Sequence, residues 1–203
     1  MTECCAIHPV DVRQRRVLWT VLGINAAMFL VELGAALLAH STALLADAAD
    51  MLGDALVYGF SLYVVTRGPA WQTRAALLKG GIMAAFGVGI LIEVGRKLAH
   101  GVIPSAGLMS GVGLLALVAN AAALLLLSRH RADDLNMRSV WLCSRNDVTA
   151  NVGVLVAALG VALTRSVWPD VVVGLLIAGL FGTSAMAVIR AALRGPVALS
   201  RLD

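Results

Sequence analysis

Six apolar runs, each long enough to cross a lipid bilayer, fill the 203-residue chain and leave little between them. They cover roughly residues 17–39, 43–65, 75–98, 107–127, 140–163 and 170–193. A helical span needs about 20 apolar residues to cross about 30 Å of hydrocarbon, and every run meets that length. Composition agrees, since 60% of the residues are apolar and 14% charged, with a mean hydropathy of +0.87. A soluble domain is about a quarter charged, so lipid must be the solvent for much of this chain. The expected fold is an all-α integral membrane protein of six transmembrane helices. Trp168 and Pro169 introduce the sixth run as an interfacial aromatic and a good first-turn residue. Arg13, Arg15 and Arg16 precede the first run, but it is too long for a cleaved signal segment, so it reads as a retained span.

Basic residues set the orientation, because Lys and Arg collect in cytoplasmic loops. Twelve of the 16 lie in the N-terminal tail, the second and fourth connections and the C-terminal end. The opposite side has only Arg96, Lys97 and Arg165, and Arg145 falls within the fifth run. Both termini are therefore expected in the cytoplasm, with the chain multi-pass in the cytoplasmic membrane and the bilayer as its main partner. The expected organisation is a tail over 1–16, a six-helix domain over 17–193 and a short tail over 194–203 with no room for a soluble domain. No single element concentrates the basic residues, so no nucleic-acid partner is expected. Cys4 and Cys5 are adjacent and Cys143 lies in an apolar run, so no disulfide framework is expected.

Function is sought where the sequence is energetically expensive. An acidic group at the centre of a span costs about 2.5–3.5 kcal/mol on insertion scales. Glu32, Asp47, Asp50, Asp54, Glu93 and Asp147 all lie within spans, and three of them crowd the run Ala46-Asp47-Ala48-Ala49-Asp50-Met51-Leu52-Gly53-Asp54. Asp50 and Asp54 are four apart and share one helix face. Like charges so placed in low dielectric repel unless a proton or a cation comes between them. In span five, Cys143 and Asp147 are again four apart. Spans two and five run antiparallel, so their packing would set Asp50, Asp54, Cys143 and Asp147 around one point. Three carboxylates and a thiolate suit tetrahedral Zn²⁺ or Cd²⁺, and with added water Mn²⁺ or Fe²⁺. Near the midplane, such a site is where secondary transporters hold their substrates.

Packing roles compete with this reading at some positions. Intramembrane acids also pair with Arg145, Asn25, Asn120 or Asn151 to fix helices. Glu32 and Glu93 fit a structural role as well as a functional one, and Glu93 with Arg96 and Lys97 resembles a helix-end ion cluster. Asp47, nearer the outer mouth, fits either a ligand or a cap. Two other functional classes also use membrane-embedded acids. An intramembrane aspartyl protease would use Asp54 and Asp147, although its Gly-x-Gly-Asp signature is absent, and a non-transporting metal-binding subunit would hold an ion without moving it. No phosphate-cradling glycine loop and no Ser/His/Asp arrangement appears.

Ser41-Thr42-Ala43-Leu44-Leu45-Ala46-Asp47 followed by Asp50-x-x-x-Asp54-Ala55-Leu56 resembles the second-span signature of the cation diffusion facilitator family. Asp134-Leu135-Asn136-Met137-Arg138, then Asp147 and Asn151-Val152-Gly153-Val154, resembles that family's fifth span and its approach. Asn25, Glu32 and Glu93 also sit where members carry such residues. The resemblance implies a proton-coupled antiporter, not an enzyme, that exports Zn²⁺ or a related dication (Cd²⁺, Mn²⁺, Fe²⁺, Co²⁺) by alternating access. It implies Asp50, Asp54, Cys143 and Asp147 as ligands, and no cofactor beyond the transported ion and protons.

There are two departures from the family pattern. Cys143 stands where zinc-moving members commonly have His, and it reads either as a thiolate ligand for softer ions or as a small buried filler. In the second case Asn146 or Asn151 would substitute, Asn151 being one turn beyond Asp147 and Asn146 about 100° away. The C-terminal domain common in the family is the other departure, the chain resembling a short form, so that a homodimer would rest on the spans alone. Cys4, Cys5 and His8 form a further soft-donor cluster in the tail, readable as metal delivery or as chance in a flexible segment.

Overall fold

The computed structural model of the chain describes residues 15–64, 69–129 and 135–193. These form six helices: α1 (Arg15–Ala39), α2 (Thr42–Val64), α3 (Pro69–His100), α4 (Ala106–Ser128), α5 (Leu135–Thr164) and α6 (Trp168–Leu193). Each matches one expected span to within two turns, α3 and α5 beginning earlier than expected. The expected tails fall outside the described residues except for Arg15 and Arg16, which already belong to α1. By length and composition, α1, α4 and the Trp141–Thr164 stretch of α5 are apolar enough to cross a membrane, and α6 is apolar over Trp168–Thr183. Leu30, Leu38, Leu125, Leu159, Leu163 and Leu176 all point outward, as they should where the surrounding solvent is hydrocarbon. The fold is therefore an all-α integral membrane protein.

Helices α1, α3 and α5 end alike, each on a residue in the left-handed region: His40 (φ 52°), Gly101 (φ 67°) and Arg165 (φ 49°). That conformation turns the chain so that following amides reach back to orphan carbonyls. Ser41 N–H donates to Ala36 O at 3.0 Å, Gly101 N–H to Lys97 O at 2.8 Å and Arg165 N–H to Val161 O at 2.8 Å. The connections from α1 to α2 and from α5 to α6 are consequently tight.

Helix α2 lies at the centre, packed against α1, α3, α5 and α6, while α4 lies between α1 and α5. Small residues make this possible. Ala35, Ala39, Ala43, Ala46, Ala49, Ala157, Ala158 and Ala178 are all buried in one core cluster, and backbones approach closely where side chains are short. Closest is the crossing of α6 over the first turn of α2. A Cβ on Gly174 would lie 2.8 Å from the Thr42 carbonyl carbon and 3.0 Å from Ala43 N, so only glycine fits without moving a backbone.

One carboxylate clamps this crossing. Asp170, in the first turn of α6, accepts from Ser41 Oγ at 2.5 Å, Thr42 N at 2.8 Å, Thr42 Oγ1 at 2.6 Å and Ala43 N at 3.1 Å. The Lys97 ammonium of α3 donates to the same carboxylate, and both side chains are buried. Asp170 thus satisfies the exposed N–H groups that begin α2 and the positive end of that helix's dipole. The expected ion cluster of Glu93, Arg96 and Lys97 needs correcting. Arg96 does approach Glu93, at 3.9 Å, but Lys97 is turned into the bundle. Adjacent helical positions diverge by about 100°, so with Arg96 facing outward Lys97 must face inward.

Removing one partner of a buried charge pair costs about 3–5 kcal/mol, because it strands the other. Asp170→Ala should lower the unfolding midpoint of the detergent-solubilised protein sharply, and Lys97→Met/Asp170→Leu should lower it less than Asp170→Ala alone. Thermal unfolding of the three proteins checks this, and an Asp170→Ala chain as stable as the parent would contradict the clamp.

Candidate functional site

One side-chain hydrogen bond and two electrostatic neighbourships set the register of α2 against α5. Asn151 Nδ2 donates to Asp47 Oδ2 at 2.6 Å, the Asp147 and Asp54 carboxyl groups lie close enough to interact, and Cys143 lies within electrostatic reach of Tyr58. Residue numbers rise along α2 as they fall along α5, so the helices are antiparallel, as expected. Asp50, one turn before Asp54, is also within electrostatic reach of Asp147. The two face pairs, Asp50 with Asp54 and Cys143 with Asp147, are therefore gathered in one region between α2 and α5.

Their environments differ. Asp147 and Cys143 are buried, 6% and 7% exposed, and Cys143 is a free thiol. Asp50 and Asp54 are half-buried. Asp54 Oδ2 accepts from the Tyr58 hydroxyl at 2.9 Å, and Tyr58 is fully enclosed. Among the described residues, no three His, Cys, Asp or Glu side chains stand close enough to hold an ion as they are. The four candidates share a region without being wrapped around a point.

A second polar chain lies one to two turns nearer the start of α2. Asn120 of α4 donates to Asn151 Oδ1 at 2.8 Å, and Asn151 in turn donates to Asp47. Both ends of the Asn151 amide are thus engaged in tying α4, α5 and α2 together, the packing role open to it from sequence. Glu32 of α1 is fully buried with Asp47 and Asp50 as its electrostatic neighbours, and neither of its carboxyl oxygens has a hydrogen-bond partner. Asn146 is exposed, off the buried face that carries Cys143 and Asp147. Arg145 is exposed as well and lies over the Trp141 ring, 5.6 Å from its centroid. Cys4, Cys5 and His8 lie outside the described residues.

Sequence reasoning overlooked two participants. Tyr58 follows Asp54 by four residues and so shares its face, a spacing visible in the sequence. Asp170 was passed over because it stands at a helix start, where an acid is ordinary; only the fold reveals that it faces Ser41 and Thr42 across more than a hundred residues.

Comparison with known proteins identifies the family. The profile of the cation efflux transmembrane domain matches residues 18–195. The zinc transporter ZitB of Escherichia coli is 29% identical over 196 residues, covering 90% of this chain and 62% of that protein. The metal cation efflux system protein CzcD of Cupriavidus metallidurans is 27% identical over 175 residues, covering 80% of this chain and 55% of that protein. The chain thus spans somewhat over half the length of these curated relatives. With the profile covering all six helices, the chain belongs to the cation efflux transmembrane domain family, the cation diffusion facilitators that its α2 and α5 motifs resemble.

Proposed function

We propose that the chain carries a divalent metal cation, Zn²⁺ foremost, out of the cytoplasm across the cytoplasmic membrane in exchange for protons. The observation that supports this reading is that Asp54 of α2 and Asp147 of α5 lie close enough for their carboxyl groups to interact directly. Two carboxylates so close repel each other in low dielectric unless a proton or a cation comes between them. The space between them is therefore one where hydrogen ion and dication are alternatives, which is the chemical basis of an antiporter. ZitB and CzcD, as a zinc transporter and a metal cation efflux protein, point to the same class of substrate.

In this reading Asp50, Asp54, Cys143 and Asp147 are the ligands, drawn together by the ion they bind. Three carboxylates and one thiolate give the four donors that Zn²⁺ takes in tetrahedral geometry. Metal entering from the cytoplasm displaces protons from these carboxyl groups. After the helices rock, protons arriving from the other side reclaim the carboxylates and release the metal. Both termini lie in the cytoplasm, as the distribution of basic residues requires.

Proteoliposomes holding a metal-sensitive dye and a pH gradient test the proposal. Asp54→Ala and Asp147→Ala should each reduce Zn²⁺ flux to the level of protein-free vesicles while the protein stays folded; normal flux in either would refute the site. Zn²⁺ binding without any flux in the parent protein would instead assign a metal-binding subunit. Cys143→Ser should weaken Zn²⁺ and Cd²⁺ transport more than Mn²⁺, by at least the roughly tenfold loss typical when a metal's outer-shell partner is removed. An equal effect on every ion would make the sulfur a filler.

A further inference from the structure

Tyr58 is 1% exposed, and its ring packs with Leu18 and Val21 of α1, Val57 of α2, and Ala123 and Leu127 of α4. In that packing the hydroxyl is directed at Asp54 Oδ2, 2.9 Å away. Asp54, Cys143 and Asp147 are all electrostatic neighbours of the phenol. Tyr58 is thus a neutral donor fixed at one edge of the carboxylate and thiol cluster, on the side where α1 begins and α4 ends. Nothing in the family resemblance assigns it a role.

A carboxylate binds a cation through one oxygen or through both. Hard ions that take six or more oxygen donors use the two-oxygen mode to fill their shell, whereas tetrahedral Zn²⁺ is satisfied by one oxygen from each ligand. Outer-shell hydrogen bonds are what fix a ligating carboxylate in one mode. Taking the proposed site as given, we infer that Tyr58 is a specificity-determining positioning residue. By holding Asp54 Oδ2, its hydroxyl confines Asp54 to single-oxygen ligation and so favours four-coordinate Zn²⁺ over six-coordinate Mn²⁺.

Tyr58→Phe tests this, because it keeps the ring in its apolar packing and removes only the hydroxyl. Purified parent, Y58F and D54A chains are reconstituted, and transport of Zn²⁺ and Mn²⁺ is measured in competition. Y58F should raise the Mn²⁺ to Zn²⁺ ratio by about fivefold or more, the factor that one hydrogen bond is worth, while D54A transports neither. An unchanged ratio in Y58F beside a silent D54A overturns the inference and leaves the site standing. A D54A chain that still transports overturns both. A second readout is the infrared difference spectrum on adding Mn²⁺ to parent and Y58F chains: Y58F should gain a carboxylate band with the narrow splitting of two-oxygen ligation that the parent does not show, and identical spectra also overturn the inference.

Discussion

Ionisable groups inside a bilayer must find their partners within the protein, and α2 is the helix on which this chain meets that demand three times. At its first turn, Asp170 and Lys97 neutralise each other while Asp170 occupies the helix's free N–H groups. One turn further, Asp47 is held by Asn151, itself held by Asn120. Deeper still, Asp54 accepts from Tyr58 and has the Asp147 carboxyl as an electrostatic neighbour. The first of these constrains the others. With its start pinned to α3 and α6, and Gly174 admitting α6 to backbone distance, α2 cannot slide along its axis without breaking the clamp. Its axial position decides which α5 residues its acids meet, and a shift of one residue would rotate Asp54 by about 100° from Asp147.

The three clusters also differ in how completely they are satisfied. Asp170 accepts from both helices it joins. Asp47 has one oxygen bonded and one without a partner, and Glu32 has neither bonded. Unsatisfied buried polar atoms are costly, so where they persist a function or an absent partner is the usual reason. Here they flank the proposed ligands on one side, while the tight apolar packing around Tyr58 closes the other. A membrane domain optimised for stability alone would fill this region with alanine and leucine, as it does elsewhere along α1 and α4.

Much of this was legible in the sequence because lipid leaves few alternatives. Apolar length alone marked six helices, and acids spaced by four marked the faces of α2 and α5 that meet. Antiparallel order followed from counting spans. What escaped was long-range and depended on rotation. Lys97 and Arg96 are indistinguishable as neighbours in a string, yet one turns to Asp170 and the other outward to Glu93. Asn151 read as an alternative ligand or a packing residue, and a string does not show that its amide bridges Asp47 and Asn120. Tyr58 was hidden by its type, since an aromatic residue at helical spacing ordinarily signals packing, and here it packs and donates at once.

The central claim is that Asp54 and Asp147 act as one binding unit, with a proton and a dication exchanging between them. A double-mutant cycle on Zn²⁺ binding, by calorimetry on the detergent-solubilised chain, tests this most directly. If the acids form one site, Asp54→Ala and Asp147→Ala each abolish the binding heat and its accompanying proton release, and the double variant is no worse than either. Losses that add independently, or binding that survives with proton release intact, would mean that the two acids serve separate purposes.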